Sequence, residues 1–308
     1  MRGWLKRSAL LAAAFLGCWQ PAAAFAAEAP AAAPAPRPAI WLIEDEDTKI
    51  YLFGTIHVFP ASLDWRSARL DQVIAEADEL VMETPDASNE EMFSGDRMFG
   101  PMMMGKTVPI LSRVSPEARP YLQQALEATG LPIEAYDEMH IWAVAFMLTG
   151  FQMTQTFGEE PTGQPVALSG AEEVLGRIFR KSRRPIYGVE TIEEQIRVFS
   201  TMPLDVQRRF LESTVIGESP SPEDVRPSND EDWVTGNVDA IAAEMRTMPA
   251  DLYEPLLTRR NRNWTGWLER RMARPGTVLF AVGAGHLAGP DSVQRMLAER
   301  GIMARRID

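Results

Sequence analysis

Apolar residues along this chain follow two rhythms. Near-continuous apolar runs at 40–43 and 50–53 flank the polar stretch 44–49 and predict a β-hairpin. Residues 79–83, 185–188, 277–282 and 302–307 read as further short strands. Between them the apolar spacing changes to three and four, as in Leu70, Val73, Ile74 and Ala77 of segment 67–77. Helices are predicted over 67–77, 116–129, 132–151, 170–181, 192–200, 204–215, 250–273 and 291–300. Segment 217–232, rich in Ser, Pro, Glu and Asp, reads as a mobile acidic loop. Strands separated by long helical stretches predict an α/β fold with a partly parallel sheet.

The amino terminus follows a different pattern. Arg2, Lys6 and Arg7 precede an apolar run over 9–17, which is shorter than the roughly 20 residues a bilayer span needs. Ala24-Phe25-Ala26 offers a small-x-small cleavage site. Residues 1–26 are therefore expected to be a signal peptide, 27–39 an Ala/Pro-rich tether, and 40–308 one α/β domain in a periplasmic or secreted protein. A rival reading takes Phe15-Leu16-Gly17-Cys18 as a lipobox with Cys18 lipidated, although Phe fits its first position poorly. No later stretch reaches transmembrane length.

Composition then narrows the chemistry. Asp and Glu number 43 against 31 Lys and Arg, a formal charge of -12. That balance argues against a nucleic-acid binder, which needs a cationic face to displace phosphate counterions. One cysteine rules out a Cys-rich zinc module, and with three histidines an all-His metal site would use every one.

Two motifs echo each other. Tyr51-Leu52-Phe53-Gly54-Thr55-Ile56-His57 is an apolar strand ending in Gly-x-x-His, and Val278 through Gly283-Ala284-Gly285-His286 repeats the device. Two similar strand–Gly-x-x-His half-units would bring His57 and His286 into one pocket if their strands are neighbours. Ligands in α/β sheets collect beyond the carboxyl ends of strands, and Glu83 closes the next strand in the chain. Two imidazoles and one carboxylate suit Zn²⁺, Mn²⁺, Co²⁺ or Fe²⁺ with positions left for water, and such an ion yields hydrolysis at neutral pH. The plainer alternative is that both histidines satisfy backbone groups at strand ends. A His-Glu-x-x-His helix, a Gly-x-Ser-x-Gly elbow and a phosphate-binding glycine loop are all missing.

Other polar residues carry weaker signals. Glu190, after the strand 185–188, fits a general base or a further ligand, or simply favours the helix it precedes. Arg260, with Asn261 and Trp264, fits a substrate anchor or oxyanion stabiliser, or a surface arginine. His140 reads as a helix-start residue. The Met-rich segment 92–104 fits an adaptable lid or groove beside the pocket rather than a copper site.

In order along the chain, the motifs are Trp41-Leu42, Phe53-Gly54-Thr55-Ile56-His57, Leu63-Asp64-Trp65 and Leu80-Val81-Met82-Glu83. Gly170-Ala171-Glu172, Tyr187-Gly188-Val189-Glu190-Thr191, Arg260-Asn261-Arg262-Asn263-Trp264 and Val282-Gly283-Ala284-Gly285-His286-Leu287 follow. This ordered set resembles the TraB/PrgY/GumN family, which includes the Tiki metalloproteases, and most resembles its bacterial GumN-like branch. The resemblance implies an erythromycin-esterase/ChaN-like α/β fold with both Gly-x-x-His motifs in the active site. For the Tiki members it implies peptide cleavage dependent on Mn²⁺ or Co²⁺. His57 and His286 match the family's histidines and Glu83 its acidic residue, while Glu190, Arg260 and Asn261 match other recurring positions.

The expectation is an exported metal-dependent hydrolase, a peptidase acting on a peptide or protein. A divalent metal (Mn, Co or Zn) would be held by His57, Glu83 and His286. Glu190 is the candidate base, and Arg260 and Asn261 would anchor the substrate or its oxyanion. The alternatives are a peptide-sequestering protein without catalysis and a non-peptide esterase.

Overall fold

A computed structural model describes residues 36–85, 100–105, 107–158, 166–216 and 228–308. Its centre is a mixed six-stranded sheet in the order β6-β4-β7-β2-β1-β8. The strands are β1 Ile40–Glu44, β2 Thr48–Thr55, β4 Glu79–Met82, β6 Ile186–Gly188, β7 Gly276–Gly283 and β8 Arg305–Arg306. A separate short pair joins β3 Phe59–Pro60 to β5 Leu168–Ser169. The expected hairpin forms with Ile40 opposite Phe53. β2, β7, β4 and β6 run parallel, so four carboxyl ends open on one edge of the sheet.

Both faces of the sheet are covered, which is why its strands read as unbroken apolar runs. Side chains alternate along each strand. Tyr51, Phe53, Leu80, Met82, Leu279 and Ala281 meet helices α1 Ala68–Glu76 and α4 Ala171–Lys181 on one face. Ile50, Leu52, Val81, Val278, Phe280 and Val282 meet α10 Arg259–Met272 and α11 Val293–Ala298 on the other. A second apolar cluster gathers α2 Arg119–Ala128, α3 Ile141–Thr156, α5 Ile192–Ser200 and α6 Leu204–Ile216.

The structure departs from the sequence pattern in three places. The helix expected over 132–151 is broken: a 3₁₀ turn, Ile133–Tyr136, precedes α3. The break is held by distant partners, with Asp137 Oδ1 accepting from Ile110 N at 2.7 Å and His140 N donating to Met102 O at 2.9 Å. Part of the expected acidic loop is instead helix α7 Ser228–Val234, because Trp233 is buried and its indole N–H donates to Gly54 O at 2.7 Å. Helix α8 Val238–Met245 follows it. Residues 217–227 of that loop lie outside the described residues. The helix expected over 250–273 carries a π-helical turn, Glu254–Thr258, between α9 Ala250–Tyr253 and α10. Pro255 lies in that turn and has no N–H for the α ladder. Among the described residues no helix is long and apolar enough to cross a membrane.

Candidate metal centre

Four parallel strands deliver the polar residues of the site. Thr55 of β2 lies opposite Gly283 of β7, so the two Gly-x-x-His loops leave the sheet side by side. Close packing fixes both turns. A Cβ on Gly54 would meet Ala284 Cα at 2.9 Å, and one on Gly283 would meet Glu83 Oε1 at 3.2 Å. Backbone approach thus calls for glycine at the first, and the Glu83 carboxylate crowds any side chain at the second.

The two histidines reach different surroundings. His286 is buried at 6% exposure. Its Nδ1 donates to Asn261 Oδ1 at 2.5 Å, and its ring lies 4.3 Å from that of Trp264. Asn261, itself buried on α10, uses its amide to donate to Asp291 O at 2.7 Å and His286 O at 3.3 Å. This arrangement fixes the tautomer and leaves His286 Nε2 as an acceptor, 3.6 Å from Glu83 Oε1. Burial holds the imidazole neutral, pushing its pKa down to about 3 despite the nearby Glu83.

His57 projects outward, its side chain 62% exposed, with Nδ1 3.0 Å from Glu172 Oε1. Glu172, in the first turn of α4, is buried and also accepts from Thr55 Oγ1 at 2.5 Å. The Glu172 carboxylate raises the His57 pKa from 6.5 to about 9. Gly170 brings the start of α4 against this loop, since a Cβ there would collide with His57 O.

Arg260 joins the remaining residues. Its Nε donates to both Glu190 oxygens at 3.0 Å, and Nη2 reaches Glu190 Oε2 at 2.8 Å and Glu83 Oε2 at 2.5 Å. Nη1 meets Leu256 O at 3.3 Å, in the π-helical turn, and His286 Nε2 at 3.2 Å. Glu83 Oε1 takes the Gly283 N–H at 2.9 Å, and Gln195 donates to Oε2 at 3.2 Å. Trp264 Nε1 donates to Glu190 Oε1 at 2.9 Å. Burial disfavours the charged form of Glu83, but Arg260, the two histidines and the Gly283 N–H together outweigh it and hold the carboxyl well below the usual range. Burial likewise works against the Arg260 charge, and Glu83 and Glu190 overcome it.

Thus Glu83, Glu190, Arg260, Asn261 and His286 lie in one hydrogen-bonded network, whereas His57 joins Glu172 beside it. Among the described residues, no three His, Cys, Asp or Glu side chains are already gathered closely enough to hold a metal ion. Sequence reasoning gave no role to Glu172, Thr55, Gln195 or Trp264, although Thr55, Glu172 and Trp264 stand in the quoted motifs. A glutamate two residues after a glycine that opens a helix was the available signal for Glu172. His140 is the extended N-cap residue of α3, makes no side-chain cap bond, and stacks at 6.3 Å on Trp142. Met102 is buried in the helical cluster and Met103 and Met104 are exposed, while residues 92–99 of the Met-rich segment lie outside the described residues.

Comparison with curated proteins and with solved structures finds no match. A family model describes the chain from residue 39 to residue 306, a span that holds the whole sheet and every residue of the site. On that match, spanning both Gly-x-x-His motifs, the chain belongs to the TraB/PrgY/gumN family.

Proposed function

We propose that this chain is an exported metal-dependent hydrolase acting on peptides, with its metal held by His57, Glu83 and His286. The observation that carries the proposal is the treatment of the two imidazoles. Each has Nδ1 engaged by a side-chain oxygen, Asn261 Oδ1 or Glu172 Oε1, which directs Nε2 toward a ligand. Metal-bound histidines are held in this way. Glu83 Oε1 lies 3.6 Å from His286 Nε2, and two donors on one ion at about 2.1 Å each stand no more than roughly 4 Å apart. In kind, two imidazoles and a carboxylate suit Mn²⁺, Co²⁺ or Zn²⁺, although the three are not gathered in this structure. Such an ion, when bound, acidifies a coordinated water and polarises a carbonyl.

The protein's own residues set the conditions for that chemistry. Asn261 keeps the proton of His286 on Nδ1. Burial keeps the ring neutral and so able to donate an electron pair. Glu190 grips Arg260 through three hydrogen bonds, so here it positions the guanidinium more than it serves as a base. Arg260 turns its remaining N–H groups toward Glu83 and His286, where substrate oxygens would lie. The same Nη1 contact shares the His286 Nε2 lone pair, so metal and guanidinium compete for it. β2 and β7, each ending in Gly-x-x-His, are in this proposal two half-units of an erythromycin-esterase/ChaN-like fold.

One observation favours a second reading, a protein that sequesters peptides without metal: the network closes around Arg260 with no ion needed. Elemental analysis of the purified chain after Mn, Co or Zn loading, coupled to a peptide-library cleavage screen, separates the two. One metal per chain, lost in folded His57→Ala and His286→Ala variants, with chelator-sensitive cleavage, is the expected result. Full metal occupancy in both variants would overturn the metal site. Peptide binding by a metal-free protein without cleavage would establish sequestration.

A further inference from the structure

Beside Glu190 and Arg260 the surface opens into a cleft of about 640 Å³ between α5 and α10. A cleft of this size holds a small ligand or a few residues of a chain. Its walls carry Arg197, Arg259, Arg260, Arg262 and Arg270 against two carboxylates, Glu190 and Glu194, a surplus of three positive charges. This surplus sits on a protein whose formal charge is -12.

Both carboxylates are already engaged. Glu190 is held by Arg260 and Trp264, and Glu194 Oε2 accepts from Thr191 N at 2.8 Å in the capping box that starts α5. Arg260 is likewise committed. The other four arginines are exposed, and no carboxylate among the described residues pairs with any of them. Elsewhere Arg66, Arg209, Arg300 and Arg305 face an acidic partner, while exposed Arg119, Arg180 and Arg208 pair with no carboxylate among the described residues but are not gathered in this cleft. Arg259 and Arg270 lie eleven positions apart on α10, about 16 Å along the helix at 1.5 Å per residue. Gly266 lies between them in the lining and adds no side chain to it.

We infer that this cleft is a binding site for a short multiply charged anion, a chain or small molecule bearing several carboxylate or phosphate groups. Guanidinium forks match both oxyanions in bidentate geometry. A cleft bearing one sign of charge also concentrates the opposite ion and speeds its capture. Arg260 and Glu190 line the cleft and also belong to the Glu83–His286 network, so an anion seated there lies beside that site. The inference is independent of the metal question, because binding is measured without turnover.

The test is isothermal titration calorimetry on the full chain at low ionic strength, with tetraglutamate and inorganic pyrophosphate as probes. Arg197→Gln/Arg270→Gln and Arg259→Gln/Arg262→Gln double variants are compared with Arg177→Gln, whose partner is Glu173. All are exposed and should keep the wild-type circular dichroism. At least one probe should bind with an affinity that falls tenfold or more in each double variant, stays unchanged in Arg177→Gln, and weakens as salt rises. Binding of tetraglutamate alone assigns the cleft to carboxylate chains, of pyrophosphate alone to phosphate groups, and of both to oxyanions generally. Absence of binding for both probes, or binding that the double variants leave intact, overturns the inference.

Discussion

The loops after β2 and β7 begin from the same sequence device and end in opposite electrostatic states. After β7, His286 is buried, bonded to the neutral Asn261, and kept uncharged. After β2, His57 stands in solvent against the Glu172 carboxylate, and its charged form is favoured. The strands are parallel neighbours, although the two motifs are offset by one residue, with Gly54 opposite Val282, and a 3₁₀ turn over Ala284–Leu287 follows β7 but not β2; the difference in charge needs a further cause. It follows from which helix packs over each loop. α10 supplies an amide and α4 a carboxylate, and the partner at Nδ1, together with burial, decides the proton. Similar motifs thus yield one ring suited to donate an electron pair and one suited to carry a proton.

The largest effect that would test this comparison lies on the β7 side. Arg260→Ala would leave Glu83 and Glu190 as buried carboxylates without their cation, and removing one partner of a buried ion pair costs about 3–5 kcal/mol. Denaturant unfolding measures it, and a loss under about 1 kcal/mol would mean that water already solvates the network. Next comes the contrast between the histidines themselves. His286→Ala removes a buried ring packed against Trp264 and should cost about 2–4 kcal/mol, whereas His57→Ala removes an exposed ring, so its cost should come from the lost Glu172 pair and fade as pH rises through about 9. Equal costs would show that the loops are alike in packing.

The finest test exchanges the partners. In metal-free protein, Glu172→Gln should bring the His57 titration down from about 9 toward 6.5, and Asn261→Asp should move His286 up from about 3. NMR of the ring carbons reads both. The sign for stability follows from linkage. The contribution of His57 is complete below 6.5 and is lost as pH rises through about 9, so Glu172→Gln should flatten the stability curve between those values. His286 acts in the other direction. Its unfolded form takes up a proton below 6.5 while the folded ring does not, so the protein loses stability as pH falls from 6.5 toward about 3. A His57 midpoint unmoved by Glu172→Gln would remove the carboxylate as the cause.

Much of this was legible from residue order. The hairpin, the parallel strands and most helices follow from apolar period alone, because each element buries a face that its own spacing specifies. His57, Glu83, Glu190 and His286 were readable as strand-tip residues for the same reason. Glu172 was not, since its role depends on α4 docking over a loop 115 positions earlier (172 against 57). The break before α3 and the helix at Trp233 were hidden because their decisive hydrogen bonds go to residues 27 and 179 positions away.

The sequence by itself determined the family, the sheet-and-helix alternation and which residue types meet at the strand ends. Those properties are local or periodic, and a chain carries them wherever it goes. Only the tertiary structure decided that Arg260 bridges two carboxylates and touches His286, and that four further arginines share its cleft. It also decided that one histidine is neutral and the other inclined to charge. Burial and the distances between charges set these states, and both arise only when remote segments pack together.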